Sequence, residues 1–215
     1  MRKMIVFEMD NTILQGKFID TCARKYNFQQ ALALLRTIDK NAISLTKRIA
    51  SFLKGMPVQE LVKVADDMPV VSDMPEVMAE LKDRNYIVGI ITDSYHVVAE
   101  HIAQKIGADF HLSYELDVID GITTGDVRIP ANFYFSERSS CDHPVCKTNA
   151  LYHLCGHYNV SIKNCITVGD SENDLCMMRH AGIGVAFCTS SGLLRTVAPK
   201  KITRPEFSEL LEYAR

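Results

Sequence analysis

The pattern of hydrophobic and polar positions begins with a short buried strand. Residues 4–7 are all apolar, and Glu8, Asp10 and Thr12 follow them at alternate positions. A run of four apolar residues bounded by polar ones is typical of a strand without a solvent-exposed face. Ligands of open α/β sheets bind beyond the carboxyl ends of the strands. We therefore expect these three polar side chains to lie at a ligand-binding edge.

Residues 17–67 have the spacing of helices, and no strand pattern interrupts them. Residues 55–57 (GMP) predict the end of one helix and the start of the next. We interpret this block as a small helical insert placed directly after the first strand. Two stripes of apolar residues at helical spacing support this interpretation. The first is Ala31, Leu32, Leu34, Leu35 and Ile38, and the second is Ile43, Leu45, Ile49, Phe52 and Leu53.

From residue 74 onward, helix and strand patterns alternate. Such alternation predicts a parallel sheet with helices on both faces, and right-handed crossovers bring the carboxyl ends of its strands to one edge. Asp120-Gly121, between two strand patterns, is a strong hairpin signal. The predicted helices are 75–84, 97–106, 147–157 and 173–180, and the predicted strands are 86–91, 109–112, 115–119, 125–129, 165–168 and 184–187.

Composition narrows the class of protein. A chain of 215 residues allows one sizeable domain or a domain with an insert. The net charge of -2 provides no basic field for nucleic acid. No apolar run approaches the roughly 18 residues of a membrane span, and residues 1–8 lack the pattern of a signal peptide. Seven cysteines, an odd number, indicate reduced thiols. We expect a cytoplasmic protein with neither nucleic-acid nor membrane partners.

Polar groups suited to one chemical site lie at the ends of four predicted elements. They are Glu8 with Asp10 and Thr12, Thr92 with Asp93 and Ser94, Lys147, and residues 169–174. Carboxylates from two strands, Glu8 and Asp170, suit a cation that prefers oxygen ligands, above all Mg²⁺. Thr92 with nearby backbone amides, and Lys147 as a point charge, suit phosphate oxygens. Together they indicate metal-assisted phosphoryl transfer through a carboxylate nucleophile.

In order and type, the four clusters resemble the motifs of the haloacid dehalogenase superfamily of phosphohydrolases. Residues 168–174 (VGDSEND) match its fourth motif closely. Residues 181–188 (AGIGVAFC), the helical insert and the hairpin resemble the phosphoserine phosphatase branch. The resemblance implies an α/β fold: a three-layer Rossmann-like core of residues 1–15 and 73–215 with a parallel sheet, and a small helical cap (C1 type) of residues 16–72. It also implies Mg²⁺-dependent hydrolysis of a small phosphorylated metabolite through an acyl-phosphate intermediate.

The resemblance further implies which residues handle the metal and the proton. Glu8 occupies the position of the nucleophile, which also binds Mg²⁺. Asp10 would protonate the leaving alcohol, then deprotonate the attacking water, and bind the metal through its backbone carbonyl. Asp170 would be the other carboxylate on the metal, and Asp174 would support that metal site from behind. Asp174 could instead be a structural cap on its helix.

Substrate contacts also follow from the resemblance. Thr92 and Lys147 would hold phosphate oxygens, and Asp93 and Ser94 belong to the same motif as Thr92. Lys147 would in addition offset negative charge on the nucleophile. Arg48 matches a cap arginine that meets the substrate carboxylate in phosphoserine phosphatases, although it could be an ordinary exposed helix arginine.

Glu8 departs from the superfamily pattern, which uses aspartate at this position. The extra methylene moves the carboxylate out by roughly 1.5 Å, and a misplacement of about 1 Å can cost on the order of 100-fold in rate. Hydrolysis is therefore expected to be slow or absent unless the backbone compensates.

Three explanations of Glu8 stay open: a weak or inactive natural homologue, an engineered substitution, or a functional glutamate with a relocated metal. We favour a diminished or retuned phosphatase over a catalytically silent, regulatory binder of a phosphorylated ligand, because the other motif residues remain: Asp10, Thr92, Lys147, Asp170 and Asp174.

A motif shifted by two residues would make Asp10 the nucleophile. Thr12 would then take the acid/base position, and Leu14 would take the place of the motif threonine. Because Leu14 cannot supply a hydroxyl, we keep Glu8 as the nucleophile position.

Lys17 is a second departure from the pattern. It stands where the phosphoserine branch commonly has a glutamate that binds the substrate amino group. A lysine there would repel an ammonium group, so phosphoserine is in doubt as the substrate. A more anionic phosphomonoester is the alternative.

Residues 141–146 (CDHPVC), with His153, Cys155 and His157, raise the possibility of a zinc site. His153 and His157 are one helical turn apart, but the segment contains no CxxC pair. We interpret these residues as thiols and surface histidines, and metal binding by this segment stays open.

Overall fold

The computed structural model describes residues 2–214 and contains a seven-stranded sheet. The strands are β1 (Lys3–Phe7), β2 (Tyr86–Tyr95), β3 (Phe110–Ile119), β4 (Ile122–Arg128), β5 (Cys165–Gly169), β6 (Ile183–Phe187) and β7 (Lys200–Ile202). Their order across the sheet is β4-β3-β2-β1-β5-β6-β7. Neighbouring strands are parallel except for β3 and β4, which form an antiparallel pair. The predicted α/β fold class with a parallel sheet is confirmed.

Helices occupy the connections between the strands except between β3 and β4, and the last helix follows β7. No helix within residues 2–214 is long and apolar enough to cross a membrane. Two short 3-10 turns, Ile162–Asn164 and Glu172–Asp174, flank β5. The helices are α1 (Phe18–Tyr26), α2 (Gln29–Ile38), α3 (Ala42–Ser51), α4 (Val58–Asp66), α5 (Met74–Asp83), α6 (His96–Ile106), α7 (Ala131–Tyr134), α8 (Lys147–Tyr158), α9 (Leu175–His180), α10 (Gly192–Val197) and α11 (Leu210–Tyr213).

The first strand lies at the centre of the sheet, as its uninterrupted apolar run predicts. β1 pairs with β2 on one side and with β5 on the other. Met4, Ile5, Val6 and Phe7 are completely buried, because a central strand of a covered sheet has no solvent-exposed face. The Glu8 backbone N–H continues the pairing and donates to the Val168 carbonyl at 2.8 Å. This bond fixes the position from which the Glu8 side chain leaves the sheet.

The helical block α1–α4 is connected to the sheet through two adjacent segments. The Gln15 N–H donates to the Pro69 carbonyl at 2.8 Å, and the Val71 N–H donates to the Ile13 carbonyl at 3.0 Å. The chain therefore enters and leaves the block at one place. The division into residues 1–15 and 73–215 against 16–72 stays a prediction.

The β3–β4 hairpin is confirmed, and its tip contacts the helical block. Asp120 and Gly121 have φ values of 51° and 77°, the left-handed geometry of a two-residue hairpin turn. The Gly55 N–H donates to the Thr123 carbonyl at 2.8 Å, and the Val58 N–H donates to the Gly121 carbonyl at 2.9 Å. The antiparallel hairpin thus connects the sheet to the helical block α1–α4.

Several predicted boundaries are wrong. The separate strands 109–112 and 115–119 are the single strand β3, whose first half pairs with β2 and whose second half pairs with β4. β2 runs on to Tyr95, beyond its predicted end at residue 91, with an irregular register after Ile91. The elements α7, α10, α11 and β7, each three to six residues long, were not predicted.

The apolar stripe predicted on α2 does not form one buried face. Leu32 and Leu35 are buried, whereas Leu34 and Ile38 are 61% and 60% exposed. Leu34 lies two positions from Leu32 and therefore on a different face of the helix, and Ile38 is the last residue of α2. α2 therefore buries only part of its apolar surface.

Candidate active site

The Glu8 carboxylate lies at the centre of the predicted site and is almost completely buried, at 2% exposure. Its Oε1 accepts hydrogen bonds from the Met9 N–H at 2.8 Å, the Asp10 N–H at 3.2 Å and the Thr92 hydroxyl at 2.6 Å. Its Oε2 forms an ion pair with the Lys147 ammonium. Two backbone amides, a hydroxyl and a cation thus surround one carboxylate, which is the donor set that a phosphoryl group requires.

Lys147 links this carboxylate to a second buried one. The lysine is 5% exposed, and its Nζ donates to Asp174 Oδ1 at 2.7 Å. Asp174 is fully buried, and its Oδ2 accepts from the Ser171 N–H at 3.1 Å and the Ser171 hydroxyl at 3.2 Å. Because Lys147 begins α8, where a cation is disfavoured by the helix dipole, the two carboxylates offset an otherwise unfavourable buried charge. Asp174 both caps its turn and positions Lys147.

Gly169 leaves room for Asp174, which gives a first prediction. A Cβ at position 169 would lie 2.5 Å from both Asp174 Cγ and Oδ2. We expect Gly169→Ala to reduce the free energy of unfolding by about 2–3 kcal/mol, because the buried carboxylate has to move. Gly156→Ala is the matched control: Gly156 lies within α8 with nothing within 4 Å of its added Cβ. The free energy of unfolding of that variant should rise by about 0.5–1 kcal/mol. If urea denaturation shows the same change for both variants, the contact with Asp174 is not what restricts position 169.

Asp10 and Asp170 lie at the open end of the site. Asp10 Oδ1 accepts from the Phe18 N–H at 2.9 Å, which joins the start of α1 to the end of β1. Asp170 Oδ2 accepts from the Asn11 side-chain amide at 3.2 Å. Burial raises the pKa of Asp10 to about 7, and the Asp93 and Asp170 charges add to that effect. Burial, with the Asp174 charge, raises the pKa of Asp170 to about 6. Both pKa values are raised mainly because these carboxylates are buried, and nearby negative charges add to the effect.

This donor set fits a magnesium ion. Its groups are carboxylate oxygens from two neighbouring strand ends, which are the ligands that Mg²⁺ prefers. A divalent cation bound by these residues would offset the cost of burying their negative charges, which is the main cause of both raised pKa values.

The elevated pKa of Asp10 gives a second prediction, for the protein kept free of metal with a chelator. The folded-state pKa of about 7 exceeds the ordinary 3.8, so ionisation disfavours the folded state. The resulting loss of stability is absent below about pH 4, grows as the pH rises and is complete above about pH 7. Asp10→Asn, which keeps an acceptor for the Phe18 N–H, should be more stable than the unaltered chain at pH 8 by on the order of 3 kcal/mol.

Thermal unfolding at pH 4 and pH 8 in a chelator checks this prediction. The advantage of Asp10→Asn should disappear at the lower pH. Asp126 is exposed on β4, and Asp126→Asn should change stability by less than about 0.5 kcal/mol at both pH values. A variant that is no more stable than the unaltered chain at pH 8 would contradict the assigned pKa.

The remaining predicted residues occupy different surroundings. The Ser94 N–H donates to the Thr92 hydroxyl at 3.1 Å, and Asp93 Oδ2 accepts from the Asn173 amide at 3.0 Å. Both belong to β2, which extends through the motif rather than ending before it. Arg48 forms an ion pair with Asp39 at 3.1 Å on the helical block. Its role as a substrate ligand stays a prediction.

Sequence reasoning gave no role to Asn11, and it included Ser171 in the cluster of residues 169–174 without assigning it a contact. Asn11 has a φ of 56°, a left-handed conformation that asparagine adopts more readily than most residues, and its amide orients Asp170. The signal was present in the residue type, an asparagine in the turn that follows β1. Ser171 begins a capping box with Asp174, which the S-x-x-D spacing could have indicated.

Comparisons with known proteins agree with this geometry. The sequence profile of the haloacid dehalogenase-like hydrolases matches residues 5–179. Phosphoserine phosphatase of Methanocaldococcus jannaschii is 28% identical, over 99% of this chain and 97% of its own length. That of Streptococcus thermophilus is 29% identical, over 97% of this chain and 94% of its own. A solved phospho-aspartyl intermediate analogue of phosphoserine phosphatase superposes with a TM-score of 0.83 at 25% identity, covering 100% of this chain and 99% of that one.

Proposed function

The chain belongs to the haloacid dehalogenase-like hydrolase family and is a phosphatase, and from that premise we propose that it hydrolyses a small phosphomonoester with Mg²⁺ through an acyl-phosphate at Glu8. The observation that carries this proposal is the convergence of Thr92, Lys147 and two backbone amides on the Glu8 carboxylate. The same donors suit phosphoryl oxygens. The relative solved as a phospho-aspartyl analogue supports the same route.

The proposed reaction has two steps, transfer of the phosphoryl group to Glu8 and hydrolysis of the acyl-phosphate. A Glu8 oxygen attacks phosphorus, the bond from phosphorus to the alcohol oxygen breaks, and Asp10 gives its proton to the leaving alcohol. Water then attacks the acyl-phosphate, Asp10 takes a proton from that water, and free phosphate and the Glu8 carboxylate are restored. Burial raises the pKa of Asp10 above its ordinary value, which favours the protonated carboxyl that the first step requires.

Magnesium would be held by Glu8, the Asp10 backbone carbonyl and Asp170. When bound, it supplies positive charge that stabilises the charge developing on the transferred phosphoryl group. Asn11 orients Asp170 for that role through its 3.2 Å hydrogen bond. Asp174 acts from behind, through its contact with Lys147.

Glu8 limits the rate in this proposal. Its carboxylate already accepts the hydrogen bonds and the ion pair that a bound phosphate needs, because its side chain is one methylene longer than aspartate. The same observation supports the alternative, a catalytically silent chain that binds a phosphorylated ligand in a regulatory role. We place slow hydrolysis first, because Asp10 and Asp170 are retained with their positioning contacts from Phe18 and Asn11.

A phosphate-release screen tests the function. The unaltered chain and Glu8→Asp are incubated with a panel of small phosphomonoesters, with Mg²⁺ and with a chelator. The proposal predicts Mg²⁺-dependent release by both proteins and none by Asp170→Asn. If neither protein hydrolyses any member of the panel, catalysis is refuted and ligand binding remains.

The positive charge of Lys17 favours an anionic substrate. It precedes α1, is exposed, and its charge lowers the pKa values of Asp10 and Asp170 against the larger effect of burial. Its ammonium group therefore acts at the mouth of the site, where it repels a substrate amino group and attracts a carboxylate. The substrate we propose is a small phosphomonoester with a further negative charge and no ammonium group.

Charge reversal at this position gives a third prediction. Lys17→Glu should raise kcat/KM for phosphoserine, relative to a phosphorylated hydroxy acid of equal length without the amino group, by roughly 10-fold. Lys63→Glu reverses an exposed charge on α4 and should leave that ratio unchanged. An unchanged ratio in Lys17→Glu would show that this lysine does not face the substrate.

Two further parts of the proposal rest on sequence and connectivity. We propose that residues 16–72 act as a cap that closes over the site and excludes water during transfer. The adjacent entry and exit segments at residues 13–15 and 69–71 support hinged movement of such a unit. We also propose a cytoplasmic location, which the odd number of seven cysteines supports.

A further inference from the structure

Three cysteines and a histidine converge beside the candidate active site. Cys141, His143 and Cys146 come from the segment before α8, and Cys176 comes from α9. Their four ligating atoms all lie within 4.8 Å of one another. We propose that this cluster binds one Zn²⁺ ion as a Cys₃His structural site.

The distances suit tetrahedral zinc. Bonds of about 2.3 Å to sulfur and about 2.0 Å to nitrogen place ligand atoms roughly 3.5–3.8 Å apart. Cys176 Sγ lies 3.5 Å from His143 Nδ1, and Cys141 Sγ lies 3.0 Å from the same nitrogen. Shifts of about 1 Å or less therefore convert the cluster to a tetrahedron, and three of the four side chains are partly or fully exposed while Cys146 is buried.

The ligand types favour zinc over other divalent ions. Three thiols with one imidazole form a soft set with no oxygen, unlike the carboxylates of the magnesium site. Binding releases the thiol protons to solvent and leaves three thiolates on the metal, with no oxidant or reductant required. A closed set of four protein ligands is typical of a structural zinc site rather than a catalytic one.

The fourth ligand, Cys176, explains why the spacing of cysteines and histidines in the sequence did not identify this site. Cys176 follows Cys146 by thirty positions (146 to 176) and enters only because α9 packs beside α8. The other candidates from the sequence lie elsewhere: His153 and His157 are exposed on α8. Cys155 Sγ lies 3.4 Å from Cys165 Sγ in the core.

Zinc at this cluster would hold a catalytic contact in place. Cys146 directly precedes Lys147, and Cys176 lies two positions after Asp174. One ion would therefore clamp the start of α8 to the start of α9, across the 2.7 Å bond between Lys147 and Asp174. The four ligands act as positioning residues for Lys147 and touch no reacting atom.

Metal binding by the full chain tests the proposal. Protein purified in reductant is stripped with a chelator and titrated with Co²⁺, which reports tetrahedral thiolate ligation by its visible absorption. With excess Mg²⁺ present to fill the carboxylate site, we expect one tetrahedral Co²⁺ per chain, displaced by Zn²⁺. His143→Asn and Cys176→Ser should weaken affinity by more than the roughly 10- to 100-fold that loss of an outer hydrogen bond costs.

Matched controls separate this site from other thiols and histidines. His157→Asn and Cys188→Ser change exposed residues outside the cluster and should bind Co²⁺ like the unaltered chain. Because a cysteine variant can fail to fold, the unaltered chain provides an independent measurement: with the oxygen-lined magnesium site already saturated by excess Mg²⁺, added Zn²⁺ should raise the Tm of the stripped protein further. Absence of tetrahedral cobalt absorption in the unaltered chain, or a Cys141–Cys146 disulfide found by peptide mapping, would overturn the proposal.

Discussion

Glu8→Asp should raise kcat/KM for phosphomonoester hydrolysis by on the order of 100-fold in the presence of Mg²⁺. In the unaltered chain, the Glu8 carboxylate reaches the Thr92 hydroxyl and the Lys147 ammonium. Shortening the side chain withdraws the carboxylate by roughly 1.5 Å and frees both donors for phosphoryl oxygens. The gain should appear mainly in kcat, because the donors then stabilise charge that develops during transfer.

Steady-state kinetics of phosphate release checks this prediction. Glu76→Asp is the matched control, since Glu76 is exposed in the first turn of α5, and its kinetics should equal those of the unaltered chain. A folded Glu8→Asp variant with unchanged or lower kcat/KM would mean that the length of this side chain does not restrain the reaction. Glutamate would then be the functional residue, with the metal placed to suit it.

Lys147→Met should lower the free energy of unfolding by about 3–5 kcal/mol, the largest stability effect that we expect. Lys147 is 5% exposed and pairs with two carboxylates, Glu8 and Asp174, which are 2% and 0% exposed. Its removal leaves both negative charges buried without their cation. Activity should also fall, because a phosphate ligand loses the same charge.

Urea denaturation of Lys147→Met and two further variants shows whether the loss of stability comes from the lost charge. Lys163→Met, at an exposed position, should change stability by less than about 0.5 kcal/mol. Adding Glu8→Gln to Lys147→Met should recover part of the loss, because one of the two unpaired charges is removed. If the double variant is no more stable than Lys147→Met, the destabilisation arises from packing around the lysine and not from its charge.

Much of the core could be predicted because it depends on local patterns. Residues 4–7 form a central strand since four consecutive apolar side chains suit burial on both faces. Asp120 and Gly121 specify a tight turn by their tolerance of positive φ. Glu8, Thr92 and Lys147 come together because parallel strands with right-handed crossovers deliver their ends to one edge.

Other features depend on contacts between distant segments, which no local pattern records. β2 continues through Thr92 because β3 provides a partner at Tyr114 for Tyr95. Leu34 and Ile38 look like core residues but face away from the narrow contact of α2. Cys176 joins Cys141 only through the packing of two helices, and the partner of Arg48 is Asp39, nine residues earlier.

The most direct test of the account is to locate the covalent phosphoryl group. A phosphomonoester carrying radioactive phosphate is mixed with the unaltered chain and with Glu8→Asp in Mg²⁺, the reaction is quenched in acid, and the labelled peptide is identified. The account predicts hydroxylamine-sensitive label on residue 8 in both proteins, formed faster in the variant. Label on Asp10, or turnover with no labelled protein under single-turnover conditions, would contradict it.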